Sequence, residues 1–249
     1  GAIMNIPPRI LAASDKQTGA VEISASGHFL DFRNRKVHIV GDSITQGWME
    51  LGTDFNTTGY LDHLQSQGIN ALMIWSFIGV VNQSQDSRIG YHAPRRWPWP
   101  EVTGNLTPPY RFEYIDAFLR PKFNENYFAA LRELVKGANE RNILVLLTVH
   151  DGWTKDRFSG HPLNVANGGT LAVNREYVTL ADYTREMPAT FSPSFTNLQA
   201  HQFILERFSD RLIRATAEFP NIMYEMFNEG EWYDQTKLRA FQIHFLDFF

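Results

Sequence analysis

The chain has 249 residues, 43% of them hydrophobic, which is enough for a full core in one large domain or two ordinary ones. A formal charge of -4 with no dense basic run argues against nucleic acid or an anionic membrane surface as the main partner. The absence of cysteine excludes a disulfide framework, a thiolate metal site and a cysteine nucleophile, without excluding secretion.

At the N-terminus there is no basic-then-apolar build of a signal peptide, and Gly1 reads as an added or processed end. Compartment stays open, with a secreted or periplasmic location favoured over a cytoplasmic one. Residues 21–40, "VEISASGHFLDFRNRKVHIV", read as short β segments broken by turns at Ser24–Gly27 and Arg33–Arg35. They predict a small β unit over 1–36, ahead of a larger domain over 37–249.

Within that domain, Lys36–Gly41 reads as the first strand, and Asn56–Gln67 as a helix with Asn56 as N-cap and Gly68 at its C-terminal end. Gly68–Ser76, "GINALMIWS", reads as a strand buried on both faces. The helix predicted over Asn124–Glu140 carries Tyr127, Phe128, Leu131, Leu134, Val135 and Ala138 at the spacing of one helical face. A third strand follows at Asn142–His150. The next helix, over Thr196–Phe219, places Leu205, Phe208, Leu212 and Ala215 on one face and stops at Pro220. Asn221–Phe227 is the fourth strand, and Thr236–Phe249 begins a fourth helix. The longest apolar runs, around Ala71–Val81 and Ile143–Val149, are too short to span a bilayer, so no membrane partner is expected.

This βαβαβαβα order implies a parallel sheet with helices packed on it. Long connections after strands two and three, 77–122 and 151–195, put the bulk of the loop sequence at the C-terminal side of the strands, where parallel α/β folds bind ligands.

The strongest chemical signal is "NIMYEMFNEGEW", residues 221–232, which gathers Glu225, Glu229 and Glu231 at the end of an apolar strand. A carboxylate inside such a strand needs partners, because burying it unpaired is costly. Glu229, just past the strand end, would project at the mouth of the sheet, where partial desolvation among aromatic rings suits a general acid.

These residues resemble the clan A glycoside hydrolases, retaining (β/α)8 TIM-type barrels that include the cellulase-like and mannanase-like families. Their fourth strand commonly ends in Y-E-x-x-N-E-P, and this chain has Tyr224, Glu225, Asn228, Glu229 and Gly230 in that frame. The resemblance implies that Glu229 is the acid/base, that Asn228 hydrogen-bonds a sugar 2-hydroxyl, and that Glu225 is a structural carboxylate inside the barrel. It also implies that His150, in "LLTVHDGW", binds substrate, and that the early β segments close the barrel floor. Two positions depart from the pattern: Met73 stands where many of these families carry an arginine in G-x-N-x-x-R, and Gly230 replaces the usual proline. Sugar and linkage therefore stay open.

In this clan the nucleophilic glutamate ends the seventh strand, whereas about four βα units can be counted here. The chain is expected to be the first half of a barrel, with the nucleophile beyond residue 249. A retaining enzyme needs two carboxyl groups about 5–5.5 Å apart, and Asp42, Asp151 and Glu231 are weak substitutes for the second. Exposed half-barrel surfaces are expected to favour a homo-oligomer.

Six tryptophans, Trp48, Trp75, Trp97, Trp99, Trp153 and Trp232, all fall outside predicted helices and toward the ligand-binding side. Any one could simply fill a gap left by a loop; together they read as platforms for the apolar face of a pyranose. Trp75, Trp153 and Trp232 are expected as walls of the site, with Asp42, Trp48 and Asp151 also lining it.

The block "GDSITQG", residues 41–47, resembles the first block of the GDS-type (SGNH) esterases, with Ser43 as nucleophile. That chemistry also needs a late D-x-x-H, and no aspartate in the chain has a histidine three residues on. Ser43 therefore reads as a small polar residue at a strand end. The eight histidines show no H-E-x-x-H or similar metal pairing, and "ANGG" at 166–169 lacks the strand and lysine of a phosphate cradle. No cofactor or metal is expected. Three readings compete: a β-glycosidase acting on an oligo- or polysaccharide, a serine esterase using Ser43, and a glycan-binding protein without turnover.

Overall fold

The computed structural model describes residues 19–44, 51–76, 96–100, 122–151 and 197–248. Two sheets organise them. An antiparallel sheet has the order β1 (Glu22–Ile23), β2 (Leu30–Phe32) and β3 (Arg35–Val37), and a parallel sheet has the order β4 (Gly41–Ser43), β5 (Ala71–Trp75), β6 (Leu144–Asp151) and β7 (Ile222–Asn228). Helices α1 (Thr57–Ser66), α2 (Glu125–Glu140) and α3 (Asn197–Thr216) connect successive parallel strands, and α4 (Gln235–Phe248) follows β7.

The expected first strand, Lys36–Gly41, is divided between the two sheets. Arg35–Val37 pairs antiparallel with β2, and the parallel strand starts only at Gly41. Asn70, just before β5, accounts for the break. Its side chain accepts from the Val40 amide at 2.9 Å and donates to the His38 carbonyl at 2.8 Å, while the Val40 carbonyl also accepts from the Asn70 amide at 2.9 Å. "GDSITQG" thus opens a parallel strand and does not follow one.

The helices form for the reasons legible in their ends and stripes. Asn56 caps α1 by accepting from the Gly59 amide at 2.9 Å, and Gly68, at φ +72°, supplies the left-handed residue past its C-terminus. All six apolar stripe residues of α2 are buried, as are Leu205, Phe208, Leu212 and Ala215 of α3. These faces cover Leu72 and Ile74 of β5 and Val145, Leu147 and Val149 of β6, each fully buried.

The other face of the parallel sheet differs from expectation. Met73 and Trp75 in β5 are only half-buried, alternating with Leu72 and Ile74. Four twisted strands do not wrap around their own concave side, so residues there keep partial access to solvent.

The small antiparallel sheet sits at the end where the parallel strands begin. The Val21 amide donates to the Pro220 carbonyl ahead of β7, and Arg33 donates to the Asn139 carbonyl and side chain and to the Asn142 side chain ahead of β6. At the opposite edge β5, β6 and β7 end at Trp75, Asp151 and Asn228. Among the described residues, no helix is long and apolar enough to cross a membrane.

Asn70→Ala should release residues 38–40 and loosen β4. The expected loss is about 1 kcal/mol in denaturant unfolding, since partly exposed hydrogen bonds contribute about that much, with faster hydrogen exchange at the amides of 41–43. Unchanged protection there would show that the side chain does not anchor the strand.

Candidate active site

Register stacks the concave face into two layers. Ser43, Met73, Leu146 and Met223 are paired across the sheet in the lower one, and Trp75, Thr148 and Glu225 in the upper. The lower layer is apolar apart from Ser43 at its edge. Met73 pairs with no carboxylate in its own layer, and Glu225 stands in the layer above.

The upper layer is polar and connected. Thr148, fully buried, donates its hydroxyl to the Glu225 carboxylate at 2.5 Å. The Asn228 side-chain amide donates toward the two oxygens of the same carboxylate at 3.3 and 3.4 Å. Its own carbonyl oxygen accepts from the Trp75 indole N–H at 3.2 Å. Glu225 therefore has the partners that its place inside an apolar strand requires.

Residues three apart in a regular strand face opposite ways, so contact between Glu225 and Asn228 requires a break in alternation. The ladder shows where it lies. Pairing passes from Thr148–Glu225 to His150–Phe227 with Val149 and Met226 between them unpaired, and the Val149 carbonyl instead accepts from the Ser76 hydroxyl at 2.8 Å. Beyond that point His150 and Phe227 face the helices, while Asn228 faces the Glu225 layer. Phe227 packs edge-on to Phe241 of α4 and to Tyr233, with both ring centroids at 5.4 Å.

Glu229 follows immediately and is exposed. Its backbone is left-handed, φ 50° and ψ 48°, and it caps a single 3-10 turn, Gly230–Trp232. For a residue other than glycine this conformation is uncommon and persists when the surroundings enforce it. Here they do: the Tyr233 amide returns to the Gly230 carbonyl at 3.1 Å, and Gln235 donates to the Gly230 and Tyr233 carbonyls at 3.0 and 2.9 Å. Gly230 lies so close to α4 that a Cβ would come within 2.3 Å of Leu238 Cδ2. A proline there would carry such an atom, so this close approach fits the departure from the usual motif.

Other expected site residues lie elsewhere. The His150 ring is fully buried on the helix side, with centroids 5.0 Å from Phe241 and 4.7 Å from Phe245, and its Nε2 is 3.0 Å from the Ser209 hydroxyl of α3. It does not share a face with Glu225 and Asn228, so the substrate contact expected of it is not met by this placement. Asp42 is registered with helix-facing Leu72, and its carboxylate accepts from the Tyr60 hydroxyl of α1. Burial first, then that bond and the carboxylate's charge, push the Tyr60 phenol well above its ordinary range, so it stays a donor. Ser43, not Asp42, is on the concave face, one layer below Trp75. It makes no hydrogen bond to a histidine among the described residues.

Trp97 and Trp99, expected among the stacking platforms, are both buried in the core with ring centroids 5.5 Å apart, and Trp99 lies against Phe208 of α3. For these two, gap-filling is the correct reading. Asp151 ends β6 in register with Asn228, and Trp232 ends the 3-10 turn. Trp48 and Trp153 lie outside the described residues. Sequence reasoning missed Thr148, although the strand carboxylate at 225 signalled that a donor was needed. It also missed Ser209 and Tyr60, whose partners come from distant elements.

No protein-family model matches the sequence, and neither does any curated protein. Among solved structures, the chain is similar to an endo-1,4-β-mannanase from Rhizomucor miehei, with TM-score 0.55 and 12% identity over 92% of this chain and 57% of that one. It also matches a glycoside hydrolase family 5 mannosidase from the same organism, with TM-score 0.46 and 16% identity over 94% and 55%. A hyperthermostable endo-1,4-β-D-mannanase from Thermotoga petrophila gives TM-score 0.40 and 18% identity over 77% and 44%. Only the first likeness is close enough to speak for the fold, and at that identity it speaks for nothing finer. It bears out the (β/α)8-type fold expected from the sequence, with about four βα units in this chain. The chain spans a little over half the length of the two Rhizomucor miehei structures.

His150→Ala should empty a buried ring site and strip the Ser209 hydroxyl of its partner. The expected cost is about 3 kcal/mol, read as a lowered melting temperature. An unchanged melting temperature would return His150 to the ligand-facing role expected from sequence.

Proposed function

We propose that this chain carries the acid/base half of a retaining β-glycoside hydrolase, with an oligo- or polysaccharide as substrate. The observation that carries the reading is the Asn228–Glu229 pair at the C-terminal end of β7. One residue is held by a polar layer on the concave face, and the next is held in a left-handed conformation at the sheet's mouth.

In the first step Glu229 gives its proton to the glycosidic oxygen as the bond from that oxygen to the anomeric carbon breaks, and a second carboxylate bonds to that carbon from the opposite face. In the next, Glu229, now a carboxylate, takes a proton from water as the water oxygen displaces the second carboxylate, which restores both groups. The second carboxylate is assigned to a later strand of the complete barrel, beyond residue 249. Asn228 meets the 2-hydroxyl of the sugar bound at the cleavage point, where hydrogen bonds that strengthen in the transition state contribute to the rate.

In the complete protein, Glu229→Gln should reduce turnover of an aryl β-glycoside by about 100-fold or more, the scale of a general acid–base contribution. Oligosaccharide affinity should survive. Near-normal turnover would overturn the reading, and affinity without turnover in the unaltered complete protein would identify a binding module instead.

A further inference from the structure

We propose that Trp75 is a positioning residue, whose indole N–H fixes the orientation of the Asn228 amide, and not a stacking wall of the sugar site. The proposal rests on the glycosidase reading of Asn228 and extends it to a residue on a different strand.

Asparagine's amide can be turned end for end at little intrinsic cost, which exchanges its carbonyl for its NH2 group. Two neighbours here remove that freedom. Trp75 Nε1 can only donate, so the group facing it at 3.2 Å must be the Asn228 carbonyl oxygen. An ionised Glu225 can only accept, so the group facing it at 3.3 and 3.4 Å must be the NH2. A flipped amide would set donor against donor at Trp75 and acceptor against acceptor at Glu225.

Thr148 completes the arrangement from the other side. Its hydroxyl, 2.5 Å from Glu225 Oε2, holds the carboxylate that receives Asn228. Trp75, Thr148 and Glu225 are neighbours in one registered row across β5, β6 and β7, so backbone pairing sets their relative height. Among the described residues, the Asn228 carbonyl oxygen keeps one lone pair beyond its bond from Trp75, an acceptor that a sugar hydroxyl can donate to.

A ring that stacks on a sugar contributes through its face, whereas the indole N–H lies on the ring's edge and is already committed to Asn228. The two roles therefore separate by experiment. Trp75→Phe keeps an aromatic face and deletes the donor. In the complete protein, kcat/KM for an aryl β-glycoside bearing the 2-hydroxyl should fall about tenfold, the scale of one orienting hydrogen bond. For the matching 2-deoxy glycoside it should change less than about twofold, because the hydroxyl that Asn228 meets is absent.

Equal losses on both substrates would assign Trp75 to stacking or packing and overturn the proposal, as would no loss on either. Failure of the parent reading is separately visible as an active Glu229→Gln variant. Should Trp75→Phe fail to fold, the indole proton of Trp75 gives a second readout by nuclear magnetic resonance of tryptophan-labelled protein. Asn228→Ala should shift that resonance and speed its exchange with solvent, whereas Asn228→Asp, which keeps an acceptor, should preserve its protection. An indole proton indifferent to Asn228→Ala would overturn the proposal directly.

Discussion

The arrangement at the mouth of the sheet depends on one requirement: Glu225, a carboxylate set in an otherwise apolar strand, must be given donors. Its register on the concave face supplies Thr148 from the neighbouring strand. The remaining donor comes from its own strand, three residues on, and an unbroken strand would point that residue away. Bringing Asn228 to Glu225 therefore goes together with the lapse in pairing at Val149 and Met226. The same lapse turns Phe227 and His150 toward the helices. Phe227 anchors the strand end on α4, and the next residues form the turn that holds Glu229. A structural carboxylate and a projecting one are thus coupled through four residues of backbone.

The helix layer makes that turn possible. Phe208 of α3 and Phe241 and Phe245 of α4 surround the His150 ring, and Phe241 also receives Phe227. The two strand ends are therefore gripped by one aromatic cluster. Trp99 joins it from the connection after β5 through Phe208. Large aromatics in this chain serve two purposes: Trp97 and Trp99 fill the core, and Trp75, at the end of β5, lies on the concave side. Composition alone does not separate these purposes, because both use the same ring and differ only in which face of a strand or loop carries it.

Much of the fold was legible in the sequence. Helix stripes depend on local spacing and on an apolar layer to cover, so the six buried positions of α2 and the four of α3 follow directly from period. Caps such as Asn56 and Gly68 are local for the same reason. The division of Lys36–Gly41 was not legible, because it involves Asn70, about thirty residues away, whose side chain bonds the His38 carbonyl and the Val40 amide. Faces at strand ends were equally hidden. His150 and Thr148 are two apart and would share a face by alternation, yet one meets a phenylalanine cluster and the other a carboxylate. Their directions differ across the position where the pairing of β6 with β7 lapses.

The lower layer sharpens what kind of site the upper layer can be. Met73, Leu146 and Met223 form an apolar floor directly beneath Trp75, Thr148 and Glu225. Polar groups resting on such a floor meet a lower local dielectric than they would in water, and their mutual hydrogen bonds strengthen accordingly. Those three floor side chains place no cation beneath the polar layer. With methionine at 73, orientation must come from within the upper layer, from neutral donors acting on a single carboxylate. Thr148 and Asn228 bond to it directly, and the Trp75 indole fixes the turn of the Asn228 amide. An arginine introduced at 73 would disturb that layer. The incoming cation would be drawn to Glu225, the carboxylate in the layer above, and would compete with Asn228 for it. The methionine and the Trp75–Asn228–Glu225–Thr148 set are therefore best understood as one solution, in which an apolar floor and a self-contained polar layer imply each other.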